Sequence, residues 1–489
     1  MVIFGASGDL TSRKLMPALY RLFQEQKLPE PFAIFGAART NMDRDAFRKR
    51  IRAGIFDAGM NLTSWDGFAQ HIHYHSLNYA GLDSYRALKG RLEEVEADLG
   101  LKGNRLYNLA IPPELYGTVA QCLARAGLSR EDSDKGIWTR LVVEKPFGRD
   151  LASARRLNEA IRAGFKETQV FRIDHYLSKE TVQNILLFRF ANAIFEPLWN
   201  RNYIEYIRIN AGEILGVEHR SGYYEQAGVL RDMCQNHMMQ LLALVAIEPP
   251  SLFTANRVRD KKSELFRSLR PFSESNIQSQ LVIGQYAKGV TQGVSVPGYR
   301  EEMGVHPESR TPTYALLKLF VDNWRWQGVP FYITTGKRLR RKVTRIDVQF
   351  KGVPYSMFRN IFGEEIRANR LVMGIHPKEE IFLNFQAKRP GTRLCMRTAG
   401  LHFSYYKRER GSKADAYGKA ISDAMAGDQT LFWRQDGLEL AWAFLEPIIQ
   451  WCEDGRSDHL KLHPYPAGSM GPDAALELLP PGSWPEKPV

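Results

Sequence analysis

Cysteine is scarce: the 489 residues hold four, Cys122, Cys234, Cys395 and Cys452, with no CxxC pair among them. That excludes a disulfide framework and a zinc ribbon, and it fits a reducing cytoplasm. Long apolar runs are missing too. None reaches the ~20 residues needed to span a bilayer, and the opening Met1-Val2-Ile3-Phe4-Gly5 is too short for a signal peptide. The reading is a soluble, unexported protein with no membrane partner. What is present is ordinary globular material, 44% hydrophobic and 25% charged. On the usual prior of about 150 residues per domain, this length makes two to four domains. Basic residues outnumber acidic ones 67 to 54, a net +13 with neutral histidines. Such an excess favours phosphates, nucleic acid or an acidic surface without choosing among them.

The order of elements is more selective. Val2-Ile3-Phe4 reads as a strand, Gly5-Ala6-Ser7-Gly8-Asp9-Leu10 as a turn, and Leu15, Ala18, Leu19 and Leu22 as one helix face. A second strand, Phe32 to Phe35, runs into Gly36-Ala37-Ala38-Arg39. This predicts a Rossmann-like, doubly wound α/β domain, continued by strands at 105–110 and 139–143 and helices near 83–99 and 114–126. Beyond residue 171 the one-to-one alternation lapses. Strands near 203–209, 346–350, 370–373 and 381–385 come in runs, with long helices at 226–247 and 435–452, so an α+β domain with a large, mainly antiparallel sheet is expected. The expected division is 1–171 and 172–489. The Pro- and Gly-rich end from Pro464 reads as a surface arm.

The glycine turn carries the first chemistry. Gly5 and Gly8 let the backbone approach a pyrophosphate, which would sit on the N-terminus of the helix beginning near Leu10. The spacing is GxxGDL and not GxGxxG, so an ordinary strand-to-helix turn stays open. The second strand ends in Arg39-Thr40, with no acid before Asp43. A cation there suits a 2′-phosphate and hence NADP, where a carboxylate would suit NAD; a solvated surface arginine is the alternative.

The densest polar stretch is Arg172-Ile173-Asp174-His175-Tyr176-Leu177-Ser178-Lys179-Glu180, seven polar residues in nine, placed where the architecture changes. A ligand cleft is expected there; a capped helix start is the bland reading. His237 stands among methionines in Gln235-Asn236-His237-Met238-Met239, where an imidazole needs a partner. Gly336-Lys337-Arg338-Leu339-Arg340-Arg341-Lys342 puts five cations in seven residues, after a Thr334-Thr335-Gly336 segment that looks like a turn. A phosphate or sugar clamp, a nucleic-acid patch and a solvated edge all fit it. His71, His73 and His75 alternate as on one strand face, with no acid or cysteine at a spacing that would complete a metal site.

Taken together, GASGDL at residue 5, Glu144-Lys145-Pro146-Phe147-Gly148, RIDHYLSKE, QNHMMQ, DNWRWQGVPF at 322, GDQTLF at 427 and the terminal PAGSMGP resemble the glucose-6-phosphate dehydrogenase family over nearly the whole chain. The resemblance implies oxidation of β-D-glucose 6-phosphate by NADP without a metal; NAD as a secondary acceptor is left open. It also implies a homodimer formed through the large sheet that can go on to a tetramer. It makes His237 the general base and Asp174 its orienting carboxylate. His175, Tyr176 and Lys179 become phosphate ligands, and Glu213 and Asp232 sugar-hydroxyl ligands. Lys337 and Lys342 join the substrate side, Lys145 lies between substrate and cofactor, and Gly5 to Leu10 with Arg39 hold the cofactor. Ser178, Asn108, His376 and Gly374 depart from the family pattern, which keeps two other readings open: a non-catalytic sugar-phosphate-binding paralogue and, from +13, nucleic-acid binding.

Overall fold

Val2–Phe4 (β1) is buried throughout, as an unalternating apolar run predicts for a strand covered on both faces. In the computed structural model, which describes residues 1–174, 176–177, 179–362, 366–391, 395–404, 416–454 and 460–480, β1 pairs in parallel with β2 (Ile34–Ala38) and β4 (Arg105–Leu109). With β3 (Ile72–Ser76), β5 (Thr139–Val143) and β6 (Val170–Arg172) these form an all-parallel sheet of order β3-β2-β1-β4-β5-β6. The order reverses between β1 and β4, so their C-terminal ends open the crevice where doubly wound sheets take ligands. The expected Rossmann-like architecture is present; β2 starts at Ile34, two residues later than its apolar run suggested.

This first compact unit comprises Met1–Ser178 with Pro250–Asp260 and Lys413–Glu439. The late segment completes its core: Ala420, Ile421, Ala424 and Phe432 are buried with Ile3, Leu15, Leu19, Val142 and Phe171. Gln429 donates to the Val170 carbonyl at 2.9 Å, tying the segment to β6.

The second unit is Lys179–Pro249, Lys261–Ser412 and Leu440–Val489. Its sheet has nine strands in the order β16-β15-β14-β13-β7-β12-β11-β8-β17. These are β7 (Ile204–Gly212), β8 (Leu281–Ala287), β11 (Tyr314–Leu319), β12 (Phe331–Gly336), β13 (Val343–Phe350), β14 (Arg370–His376), β15 (Glu380–Lys388), β16 (Met396–Ser404) and β17 (Leu462–Pro466), while β9 (Gly289–Thr291) and β10 (Val294–Val296) form a separate hairpin. Only β7·β12 and β8·β17 are parallel, so the sheet is mainly antiparallel, as expected.

Three local expectations fail. The single helix expected over 226–247 is three pieces: an α-helix Ser221–Val229, a π-helix Leu230–Met238 and an α-helix Met239–Ala246. Gly228, at φ 57° and ψ −179°, breaks the first piece in a conformation that side-chain-bearing residues avoid. Thr334-Thr335-Gly336 is no turn but the buried end of β12, where the Thr335 hydroxyl donates to the Ala211 carbonyl at 2.8 Å. The end from Pro464 is no surface arm either, since β17 extends the sheet and Tyr465 is fully buried. Prolines are tolerated there because the strand lies at the sheet edge.

Gly5 sits at φ +83°, and a Cβ there would lie 2.0 Å from the Ala110 carbonyl oxygen. Gly5→Ala is therefore expected to cost about 1–3 kcal/mol through forced backbone movement between β1 and β4. Thermal unfolding of the variant measures this, and an unchanged midpoint would mean that the turn adapts freely.

Candidate active site

In the first unit, the turn after β1 is closed by the Gly8 amide donating to the Gly5 carbonyl at 2.8 Å, and the Thr11 hydroxyl returns to the same carbonyl at 3.1 Å. Gly5, Ala6, Ser7, Gly8, Asp9 and Leu10 thus form a tight cradle at the crevice, leading into the helix that follows. The end of β2 is fastened beside it: the Thr40 hydroxyl donates to Ser7 Oγ at 3.0 Å, and Tyr74 donates to the Thr40 carbonyl at 2.6 Å. Arg39 is exposed there, its guanidinium 5.7 Å from the Tyr79 ring centre. Asp43, the nearest acid along the chain, caps the next helix by accepting from the Ala46 amide at 2.7 Å. A second cation, Arg50, donates to the Ser7 carbonyl at 2.6 Å. Sequence reasoning missed it, because one arginine on a solvated helix face carries no signal. The residues present fit NADP: a tight glycine turn, one cation at the end of β2 and a second reaching the Ser7 carbonyl of that turn, and an acid already committed as a cap.

The ends of β4 and β5 face the same crevice. Lys145 follows β5 directly, and Glu144 before it is buried. Burial pushes the Glu144 carboxyl up to about 7, against the pull of Lys145 and of the buried Asn108 amide on β4. Asp174, two residues beyond β6, is 3% exposed, and its Oδ1 accepts from the Tyr176 amide at 3.0 Å. His175 and Ser178 lie outside the described residues.

In the second unit, Lys179 starts the helix Glu180–Phe190, its carbonyl accepting from the Val182 amide at 3.0 Å. Glu213 and Lys337 are brought together at 2.6 Å, and the Lys337 ammonium lies 5.1 Å from the centre of the Tyr224 ring. Asp232, 4% exposed on the π-helix, accepts from the Tyr223 hydroxyl at 3.4 Å. Burial, and then the charges of Asp232 and Glu213 among others, hold Tyr224 well above the usual phenol range; Tyr223 is pushed up to about 12 by burial and by Asp232. Both tyrosines are held neutral, and the sequence pattern singled out neither. His237 is 1% exposed, five residues after Asp232 on the same π-helix. Lys342 is exposed and precedes Val343, which pairs with Gly212, so its backbone lies beside Glu213. Wide π-turns inside helices are frequent at functional sites.

The alternating histidines have other work. His71 stacks on Phe32 at 4.0 Å and His73 on Phe35 at 4.8 Å. Burial, with Arg44 adding to it, holds His73 down at about 4, so it is neutral. Among the described residues, no group of three or more His, Cys, Asp or Glu side chains is placed to hold a metal ion.

Comparison with known proteins decides the family. A model described as "Glucose-6-phosphate dehydrogenase, NAD binding domain" matches residues 2–184, and one described as "Glucose-6-phosphate dehydrogenase, C-terminal domain" matches 186–484. The chain belongs to the glucose-6-phosphate dehydrogenase family. It is 44% identical to the glucose-6-phosphate 1-dehydrogenase of Aggregatibacter actinomycetemcomitans over 98% of this chain and 95% of that one. Its identity to the Bacillus subtilis (strain 168) enzyme is 41%, over 98% and 96%. A solved glucose-6-phosphate dehydrogenase "in complex with its substrate glucose-6-phosphate" superposes with a TM-score of 0.89 at 34% identity, covering 98% of this chain and 96% of that one. As in other glucose-6-phosphate dehydrogenases, the cofactor is NADP.

Arg39→Ala in this dehydrogenase is expected to raise KM for NADP at least tenfold and KM for NAD by less than twofold, because only NADP carries the 2′-phosphate. Steady-state kinetics with both cofactors measure the ratio; equal effects would remove Arg39 from that phosphate.

Proposed function

We propose that His237 is the general base and Asp174 its orienting carboxylate in the family's reaction, oxidation of β-D-glucose 6-phosphate to 6-phospho-D-glucono-1,5-lactone. When bound, NADP supplies the hydride acceptor. The protein's part is to hold the sugar and take the C1 hydroxyl proton, because hydride leaves C1 only as that proton goes. A neutral imidazole held in one tautomer by a carboxylate does this near neutral pH. The observation that carries the assignment is His237 itself: an imidazole 1% exposed, on a π-helix that also bears Asp232, in the unit where Glu213 and Lys337 pair.

Around this base, Glu213 and Asp232 take sugar hydroxyls, Lys337 and Lys342 serve the substrate side, and His175, Tyr176 and Lys179 take the phosphate dianion. Lys145 serves substrate and cofactor together. Gly5 to Leu10 hold the diphosphate, and Arg39 with Arg50 the 2′-phosphate, NAD being a weaker acceptor. The non-catalytic reading has no observation in its favour. Nucleic-acid binding is weakened as well, since Lys337 pairs with Glu213 and Arg338 with Glu302. A cytoplasmic site is supported by four free cysteines and by no helix among the described residues being long and apolar enough to cross a membrane.

His237→Asn is expected to lower turnover by about 10²–10⁴-fold with substrate affinity within threefold. Absorbance of the reduced cofactor and calorimetric titration of glucose 6-phosphate read the two quantities, and retained turnover would refute the base.

The same reading includes a homodimer, itself able to pair into a tetramer. On the edge strand β16, Leu401 is 61% exposed and Phe403 56%. An apolar face of that kind asks for a cover. Light scattering should give twice the chain mass, and Leu401→Glu with Phe403→Glu should return the monomer. A wild-type monomer at micromolar concentration would refute this.

A further inference from the structure

The loop that carries Lys337 leaves the sheet between β12 and β13, so strand pairing does not hold it. Its backbone is tied to residues 213–215, the Leu339 amide donating to the Glu213 carbonyl at 2.8 Å and the Arg338 amide to the Leu215 carbonyl at 3.2 Å, and also to the C-terminal segment. The Tyr465 hydroxyl donates to the Lys337 carbonyl at 2.8 Å, the Gly468 amide donates to the Arg338 carbonyl at 2.7 Å, and the Arg340 amide donates to the Ser469 carbonyl at 2.7 Å. These ties bracket Arg338, whose φ of 50° is unfavourable for a long side chain and persists only where neighbours enforce it. Glu302 takes the Arg338 guanidinium at 3.0 Å and the Tyr286 hydroxyl at 3.0 Å, fixing the loop from its other side.

Tyr465 is 0% exposed and ends a relay of hydroxyls. The Tyr286 amide donates to the Thr313 hydroxyl oxygen at 3.0 Å, and that hydroxyl lies 2.9 Å from Tyr465, where either can donate. The Lys337 carbonyl at 2.8 Å is a nearer acceptor for Tyr465 than the Thr313 carbonyl at 3.3 Å. Thr313 also accepts the Lys337 amide on its own carbonyl at 2.9 Å. Both backbone polar groups of Lys337 are therefore held by residues with no direct place at the sugar.

We propose that Tyr465–Ser469 is a positioning element for the substrate lysine, with Tyr465 as its key residue, holding Lys337 against Glu213 so that both meet the sugar in one geometry. This rests on the sugar-site reading above. Removing the hydroxyl leaves a buried carbonyl without its donor and frees the lysine backbone.

The test compares Tyr465→Phe with Ile283→Val, a core change on β8 beside β17 that thins packing without touching the relay. Tyr465→Phe should raise KM for glucose 6-phosphate about five- to tenfold, leave kcat and KM for NADP within twofold, and speed amide hydrogen exchange at least tenfold in residues 337–342. Ile283→Val should lower the unfolding temperature and leave these readouts in place. Unchanged exchange in 337–342, or a KM shift no larger than that of Ile283→Val, overturns the proposal. Lys337→Ala separates the two readings. If it raises KM while Tyr465→Phe does not, the positioning role fails; if it leaves KM unchanged, the sugar-site reading fails, and the proposal with it.

Discussion

The proposed sugar site of this protein depends on one register. β7 and β12 run in parallel and end level, Gly212 opposite Gly336. The next residues, Glu213 and Lys337, therefore emerge side by side and meet at 2.6 Å. A slip of one residue would separate them and turn their side chains to opposite faces. The antiparallel partner β13 adds Lys342 at the same end, because Val343 pairs with Gly212. Three chemically loaded residues from distant parts of the sequence are thus brought to one end of the sheet by strand pairing, and the Tyr465 hydroxyl then fixes the Lys337 carbonyl.

Charge at this end is arranged to stay useful. Lys337 is buried, with Glu213 as its ion-pair partner at 2.6 Å and the Tyr224 ring 5.1 Å from its ammonium. Asp232 is held by the neutral Tyr223 hydroxyl, which leaves its carboxylate a strong acceptor. At the crevice of the first unit, Glu144 behaves differently: burial brings it to about 7, so the residue next to Lys145 changes charge near neutral pH. Such tuned groups concentrate where ligands bind.

Much of the chemistry was legible from residue types. A glycine whose Cβ would lie 2.0 Å from the Ala110 carbonyl oxygen, an arginine where an acid would repel phosphate, and a histidine among methionines each announce a constraint that few other residues meet. Less visible were contributions resting on ordinary residues in special places. Arg50, Tyr223, Tyr224 and Thr313 look like surface or filler residues until folding sets them beside a carbonyl, a carboxylate or an ammonium. The helix misjudged over 226–247 illustrates the same limit, since its apolar period continues through a π-turn that only packing and the break at Gly228 reveal.

The amino-acid sequence by itself determined the doubly wound opening and the mainly antiparallel second sheet, because hydrophobic period and backbone sterics act locally. Tertiary structure decided which distant residues act together. Residues 413–439 complete the first unit's core, and β17 turns an apparent arm into the strand whose Tyr465 holds Lys337. Neither follows from local pattern. A buried helix reads the same whichever core it fills, and a hydroxyl or carbonyl shows its partner only once long-range packing has excluded water and left one donor in reach.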